Sequence, residues 1–211
     1  MFNITLSIIE WLGIAAFAIS GAMVGIDKKL DVFGVCIAGI TTAIGGGILR
    51  DVLLGLTPPR MFIDSTYLIF ALICSIVVFV VVKILKEKYR ENQQMIEHII
   101  NVFDALGLGV FAAVGSQIAI DAGHTDNFFI VIFSGVISCI GGGALRDIMC
   151  ASIPFVFKKH IYALACLAGT LSYYLLYIYV NTTIAIICAF IITVVIRLLA
   201  THFKWNMPTA L

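Results

Sequence analysis

Seven long apolar runs, separated by short polar breaks, constrain this chain more than any other feature. They cover residues 4–25, 32–56, 62–84, 98–120, 127–150, 160–180 and 183–201. A helix needs about 20 mostly apolar residues to cross the hydrocarbon of a bilayer. Each run meets that length, and the breaks between them ("DKKLD", "TPPR", "KEKYRENQQ", "DAGHTDN", "PFVFKKH", "NTT") leave no room for a soluble domain. Composition agrees: 62% of residues are hydrophobic and 12% charged, against about 45–50% and about 25% in soluble domains. The expected fold is an all-α integral membrane protein with seven transmembrane helices. A formal net charge of +1 gives no reason to expect a nucleic-acid partner. The cysteines all lie within apolar runs without CxxC spacing, so neither a disulfide framework, a metal site nor a cofactor is expected.

Placement of Lys and Arg sets the expected orientation. With seven spans, 11 of the 13 basic residues fall on the side of the C-terminus, leaving only Arg50 and Arg60 on the other. The chain is therefore expected in a cell (inner) membrane, with the N-terminus outside and the C-terminus cytoplasmic. The basic run "KILKEKYR" reads either as an ordinary cytoplasmic loop or as a contact with membrane lipid.

The second constraint is an internal duplication. "AIGGGILRD" (Ala43–Asp51) returns as "CIGGGALRD" (Cys139–Asp147), 96 residues on. "LGIAAFAISG" (Leu12–Gly21) returns as "LGLGVFAAVG" (Leu106–Gly115), 94 residues on. Each copy holds three spans. Three is odd, so the second copy enters the membrane upside down, as in the inverted repeats of transport proteins. The expected organisation is a first repeat over 1–85, a cytoplasmic loop over 86–97, a second repeat over 98–180, and a seventh helix with a short tail over 181–211.

The repeated word is unusual in an apolar run. Glycine in a helix interior costs about 1 kcal/mol relative to alanine. Gly45, Gly46 and Gly47 lie in the second run, and Gly141, Gly142 and Gly143 in the fifth. The expected reading, favoured by the duplication and by the Arg-Asp that follows each triplet, is that helices 2 and 5 break there and open backbone toward a water-filled path. The other is close helix packing, since small residues let backbones approach. Arg50, Asp51, Arg146 and Asp147 follow directly, and charges inside a span cost at least about 2.5–3.5 kcal/mol on insertion scales. Adjacent residues leave a helix in different directions, so each is expected to need its own partner. Glu10 and Asp104 are repeat mates, and they are the expected partners of Arg50 and Arg146 respectively. Either pair could pin the bundle or set the field along a pore. Thr41, Thr42, Ser134 and Ser138 could line a polar path or simply bond neighbouring helices.

These residues resemble the prokaryotic trimeric intracellular cation (TRIC-type) channels, a family also described as putative glycine transporters. The resemblance rests on seven spans, a three-plus-three inverted repeat and GGGxxRD in spans 2 and 5. It implies a homotrimer with a pathway for monovalent cations, potassium favoured over sodium, inside each protomer and lined by glycine-kinked helices 2 and 5. A lysine motif through which animal members bind phosphoinositides has no clear counterpart here. Two functions fit: a cation channel, and an alternating-access carrier of a small zwitterion such as glycine. No constellation of catalytic carboxylates, nucleophile and base, or metal ligands supports an enzyme.

Overall fold

The computed structural model describes residues 4–85, 93–158 and 161–205. Most of the expected loop at 86–97, including Lys86, Lys88 and Arg90, lies outside the described residues, as do Lys159, His160 and the tail after Trp205.

The chain runs α1 (Ile4–Asp27), α2 (Val32–Leu53), a short α3 (Arg60–Ile63), α4 (Thr66–Ile84), α5 (Gln93–Ala119) ending in a wider π turn (Ile120–His124), α6 (Phe128–Met149), a short α7 (Phe155–Lys158), α8 (Tyr162–Tyr179) and α9 (Thr182–His202). Seven of these helices are long and apolar enough to cross a membrane, and they match the seven apolar runs of the sequence. The short helices α3 and α7 were not foreseen; both follow prolines and occupy polar breaks.

The repeat is visible in the caps. Asp31 Oδ1 accepts the Gly34 N–H at 2.7 Å to start α2, and its mate Asn127 Oδ1 accepts the Ile130 N–H at 3.2 Å to start α6. Such caps satisfy N–H groups that a helix start leaves unpaired. The other ends match as well. Leu56 N–H bonds Asp51 O and Gly55 N–H bonds Val52 O, while Ser152 N–H bonds Asp147 O and Ala151 N–H bonds Ile148 O. This left-handed exit places Gly55 at φ 71° and Ala151 at φ 50°.

The two copies meet at an approximate twofold axis. Phe17 of α1 stacks on its own repeat mate, Phe111 of α5, with centroids 5.2 Å apart and planes 5° from parallel. A Cβ on Gly46 would overlap the Ser138 carbonyl, and a Cβ on Gly142 would overlap the Thr42 carbonyl. Gly45 faces Leu145 at 3.1 Å, and Gly141 faces Leu49 at 3.0 Å, measured to an ideal Cβ. Each contact is the other with the two copies exchanged, which is what a twofold between α2 and α6 requires.

This crossing corrects one expectation. The helices carrying the glycine triplets are not broken: α2 is continuous α-helix from Val32 to Leu53, and α6 from Phe128 to Met149. The first two glycines of each triplet remove Cβ atoms where the two helices touch, so each helix keeps its own hydrogen bonds and the close-packing reading accounts for Gly45, Gly46, Gly141 and Gly142, while Gly47 and Gly143 face side chains only. Around this crossing α5 is the most enclosed span, 78% buried over its apolar stretch, whereas α4 is 11% buried and lies at the outer edge of the bundle. α9, outside the repeat, packs against α5 and α8.

Candidate functional site

The charged residues after the glycines are buried. Arg50, Asp51 and Arg146 are 0% exposed, and Asp147 is 1% exposed. Their pairing differs from the sequence expectation. Arg50 Nε and Nη2 both donate to Oδ1 of the adjacent Asp51, at 2.8 and 2.7 Å. Arg146 Nε donates to Asp147 Oδ1 at 2.9 Å, and Nη2 lies 2.9 Å from the same oxygen. The Cβ atoms of neighbours diverge, but the arginine arm is long enough to fold back along the helix to its neighbour's carboxylate. In an apolar surround that short loop is strongly favoured over an unpaired charge.

Each aspartate has a second task. Asp51 Oδ2 accepts the Arg60 N–H at 2.9 Å, and Asp147 Oδ2 accepts the Phe155 N–H at 2.9 Å. These N–H groups open α3 and α7. One carboxylate thus anchors the arginine with one oxygen and the start of the following helix with the other.

The mates Glu10 and Asp104 behave differently from one another. Asp104 is fully buried, and its Oδ1 lies 3.9 Å from Arg146 Nη1, as expected. Glu10 lies within coulombic range of Arg60 and Arg50, but it does not form the direct ion pair expected with Arg50. Its Oε2 instead accepts the Tyr67 hydroxyl at 3.4 Å. The same contact exists in the other copy, where the Tyr162 hydroxyl donates to Asp104 Oδ1 at 3.3 Å. Tyr67 and Tyr162 are themselves repeat mates, 95 residues apart. Sequence reasoning missed these tyrosines, because neither repeat offset, 94 or 96, brings Tyr67 onto Tyr162 without a further one-residue shift.

Arg197 is a further residue that sequence reasoning misses, since counting Lys and Arg by side treats it as an ordinary inner-side charge. It is 1% exposed, on α9, with its guanidinium 4.7 Å from the centre of the Tyr162 ring. Arg146 lies similarly over Phe155, at 5.0 Å. The end of the bundle that holds Asp104 is therefore a buried cluster of two arginines, two aspartates and a tyrosine.

At the other end, a cavity of about 630 Å³ opens beside the start of α1 and the π turn. Glu10, Arg60, Gln117 and Asp121 line it. Asp121 is held by Gln117 Nε2 at 2.7 Å, and Gln117 in turn accepts a hydrogen bond from Tyr173. Glu10 is 4% exposed, and its Oε1 has no hydrogen-bond partner. A second, smaller cavity of about 260 Å³ lies between α2 and α6, with Arg50, His124 and Ser134 in its wall.

The polar lining candidates are engaged with neighbours. Thr42 Oγ1 donates to Ala38 O at 2.7 Å, Ser138 Oγ to Ser134 O at 2.6 Å, and Ser134 Oγ to Gly115 O at 2.8 Å. Thr41 Oγ1 lies 3.6 Å from Met149 Sδ. Of these, Ser134 alone is in the wall of either cavity. Among the described residues, no group of three or more His, Cys, Asp or Glu side chains could hold a metal ion.

The family described as "Glycine transporter" matches this chain twice, over residues 7–83 and 101–178. The UPF0126 inner membrane protein YadS of Escherichia coli is 33% identical over 96% of both chains. The TRIC trimeric intracellular cation channel orthologue from Rhodobacter sphaeroides is 27% identical and superposes with a TM-score of 0.84, covering 95% of this chain and 98% of that one. A prokaryotic TRIC channel crystallised in 0.5 M KCl is 34% identical with a TM-score of 0.87, over 98% of this chain and 100% of the other. A family match in each repeat and a structural likeness over nearly the whole chain lead to one conclusion: this multi-pass membrane protein belongs to the glycine transporter family, the family of the prokaryotic TRIC-type cation channels.

Proposed function

We propose that the chain is a monovalent cation channel that favours potassium and works as a homotrimer, with one pathway inside each protomer. The observation that carries this reading is the larger cavity, where carboxylates from both repeat copies, Glu10 and Asp121, share one wall and a buried Glu10 oxygen has no protein donor. Such a site attracts cations from the N-terminal face. The full-length likeness to TRIC cation channels supports it. The path runs past Arg50 and Asp51, along the α2–α6 crossing, and past Arg146 and Asp147. The glycine contacts close it in this conformation, and parting of α2 from α6 opens it.

The organisation proposed is a repeat over 1–85, a loop over 86–97, an inverted repeat over 98–180 and a separate helix with its tail over 181–211. The N-terminus faces outward and the C-terminus the cytoplasm. Burial of Arg50, Arg146 and Arg197 removes three charges from the loop count and leaves nine basic residues against Arg60 alone.

One observation favours the carrier reading. Arg60 stands in the same cavity as Glu10 and Asp121, so both ends of a zwitterion such as glycine would find a partner there. The test is recording from purified protein in a planar bilayer under a potassium gradient, alongside glycine uptake into liposomes. Unitary current steps that shrink in Glu10→Gln support the channel. Saturable glycine uptake without unitary currents overturns it in favour of the carrier.

A further inference from the structure

We propose that the smaller cavity beside Arg50 binds a small monoanion, such as a halide or a free carboxylate. The inference is independent of the channel reading, because binding is measured without flux.

Asp51 does not saturate the Arg50 guanidinium. Its Oδ1 takes Nε and Nη2, and its Oδ2 is committed to the backbone N–H of Arg60. Arg50 Nη1 has no acceptor, although the side chain is 0% exposed. A buried donor without an acceptor costs about 1–3 kcal/mol, and more when it carries charge. Arg50 forms part of the wall of the cavity of about 260 Å³. His124, from the π turn, and Ser134 are the other polar side chains in that wall. The remaining lining is leucine, isoleucine and Phe133, with no carboxylate. The charge in the wall is therefore positive and its dielectric low, a combination that strengthens attraction for an anion.

The second repeat shows what kind of group belongs at this position. There the same guanidinium atom, Arg146 Nη1, likewise has no hydrogen-bond acceptor, but it has the charge of the Asp104 carboxylate 3.9 Å away. In the first repeat the mate of that carboxylate, Glu10, bonds Tyr67 and stands in the larger cavity with Arg60. The repeat thus pairs one arginine with two carboxylates and directly pairs the other with only one. A diffusible anion supplies at Arg50 what Asp104 supplies at Arg146.

The probe is chloride, read by the ³⁵Cl line width of potassium chloride solutions containing the protein in phosphatidylcholine nanodiscs. Wild type should broaden the line beyond empty nanodiscs, and acetate or bromide should reverse the excess. Arg50→Gln should abolish the excess, but it disturbs a buried ion pair and could misfold. Leu54→Glu is therefore the decisive variant, since it places a tethered carboxylate in the cavity wall as Asp104 does in the other copy. Folded Leu54→Glu protein, checked by its size-exclusion profile, should show no excess broadening, and His124→Gln should show several-fold less than wild type. Undiminished broadening in folded Leu54→Glu overturns the proposal, as does wild-type protein that broadens no more than empty discs. An excess that appears in phosphatidylcholine and vanishes in phosphatidylglycerol discs means that a lipid phosphate supplies the same charge at the site. An excess that persists in both means that the free anion does.

Discussion

Arg50 and Arg146 occupy equivalent positions in the repeat, yet their surroundings are unequal. Removing the carboxylate next to each should therefore have unequal effects. Asp51→Asn leaves Arg50 with Glu10 only at a distance, while Asp147→Asn leaves Arg146 with Asp104 at 3.9 Å. Asparagine still accepts the N–H that opens the following short helix, so the substitution isolates the charge. Breaking a buried ion pair from one side costs about 3–5 kcal/mol. Asp51→Asn should lie at the upper end of that range and Asp147→Asn below it, as read by thermal unfolding in detergent. Equal losses would mean that Asp104 does not support Arg146. A second contrast lies at the helix exits. Ala151 sits at φ 50° where its mate Gly55 sits at φ 71°. A residue with a Cβ is disfavoured there by about 1–2 kcal/mol, so Ala151→Gly should raise the melting temperature. Gly55→Ala should lower it, although a Cβ at Gly55 meets nothing within 4 Å. Much of this scale was absent from the sequence. The adjacency of Arg and Asp in the chain hid their pairing, because face-based reasoning treats neighbours as diverging and ignores the reach of the arginine arm. The tyrosines were illegible for a different reason: a buried Tyr looks like any other core aromatic until its hydroxyl partner is known.

At the scale of elements, hydropathy placed all seven spans, because hydrocarbon imposes one length on every crossing helix. It did not resolve α3 and α7, whose four residues each are too short to carry a period. Nor could it decide between a broken helix and a close crossing, since both call for glycine. The structure separates the two readings by position within each triplet. A Cβ on Gly46 or Gly142 strikes the backbone of the facing helix, whereas one on Gly47 first meets the Arg50 and Met61 side chains, both at 3.5 Å. Gly46→Ala and Gly142→Ala should therefore cost about 1–3 kcal/mol through overpacking. Gly47→Ala should be neutral or gain up to about 1 kcal/mol in helix propensity. Unfolding midpoints of the three variants make the test. Equal tolerance at all three positions would mean that the crossing is looser than drawn.

For the molecule as a whole, the duplication was the most informative part of the sequence, because an odd number of spans per copy dictates inversion. The reciprocal contacts at Phe17–Phe111 and Gly46–Gly142 are its physical form. Orientation rests on basic residues in the loops. A reporter fused after Leu211 should be active only in the cytoplasm, and one inserted at Gly123, in the π turn, only outside. Activity of both on the same side would be incompatible with seven spans.

The helix without a repeat mate has a further consequence. α9 brings Arg197 against Tyr162 at one end of the bundle, whereas the basic residue at the other end, Arg60, comes from the short helix α3 and lines an open cavity with Glu10. A perfect twofold lying in the membrane plane would make inward and outward current identical in symmetric salt. On the channel reading, an ion arriving from one side meets Glu10, Asp121 and Arg60 around an open cavity, and an ion arriving from the other side meets Asp104 and Asp147 held among two buried arginines. The open-state current–voltage curve should therefore bend rather than follow a straight line through the origin, and Arg197→Gln should bring it closer to ohmic. Rectification would then be the electrical signature of α9, the one helix that the duplication did not copy.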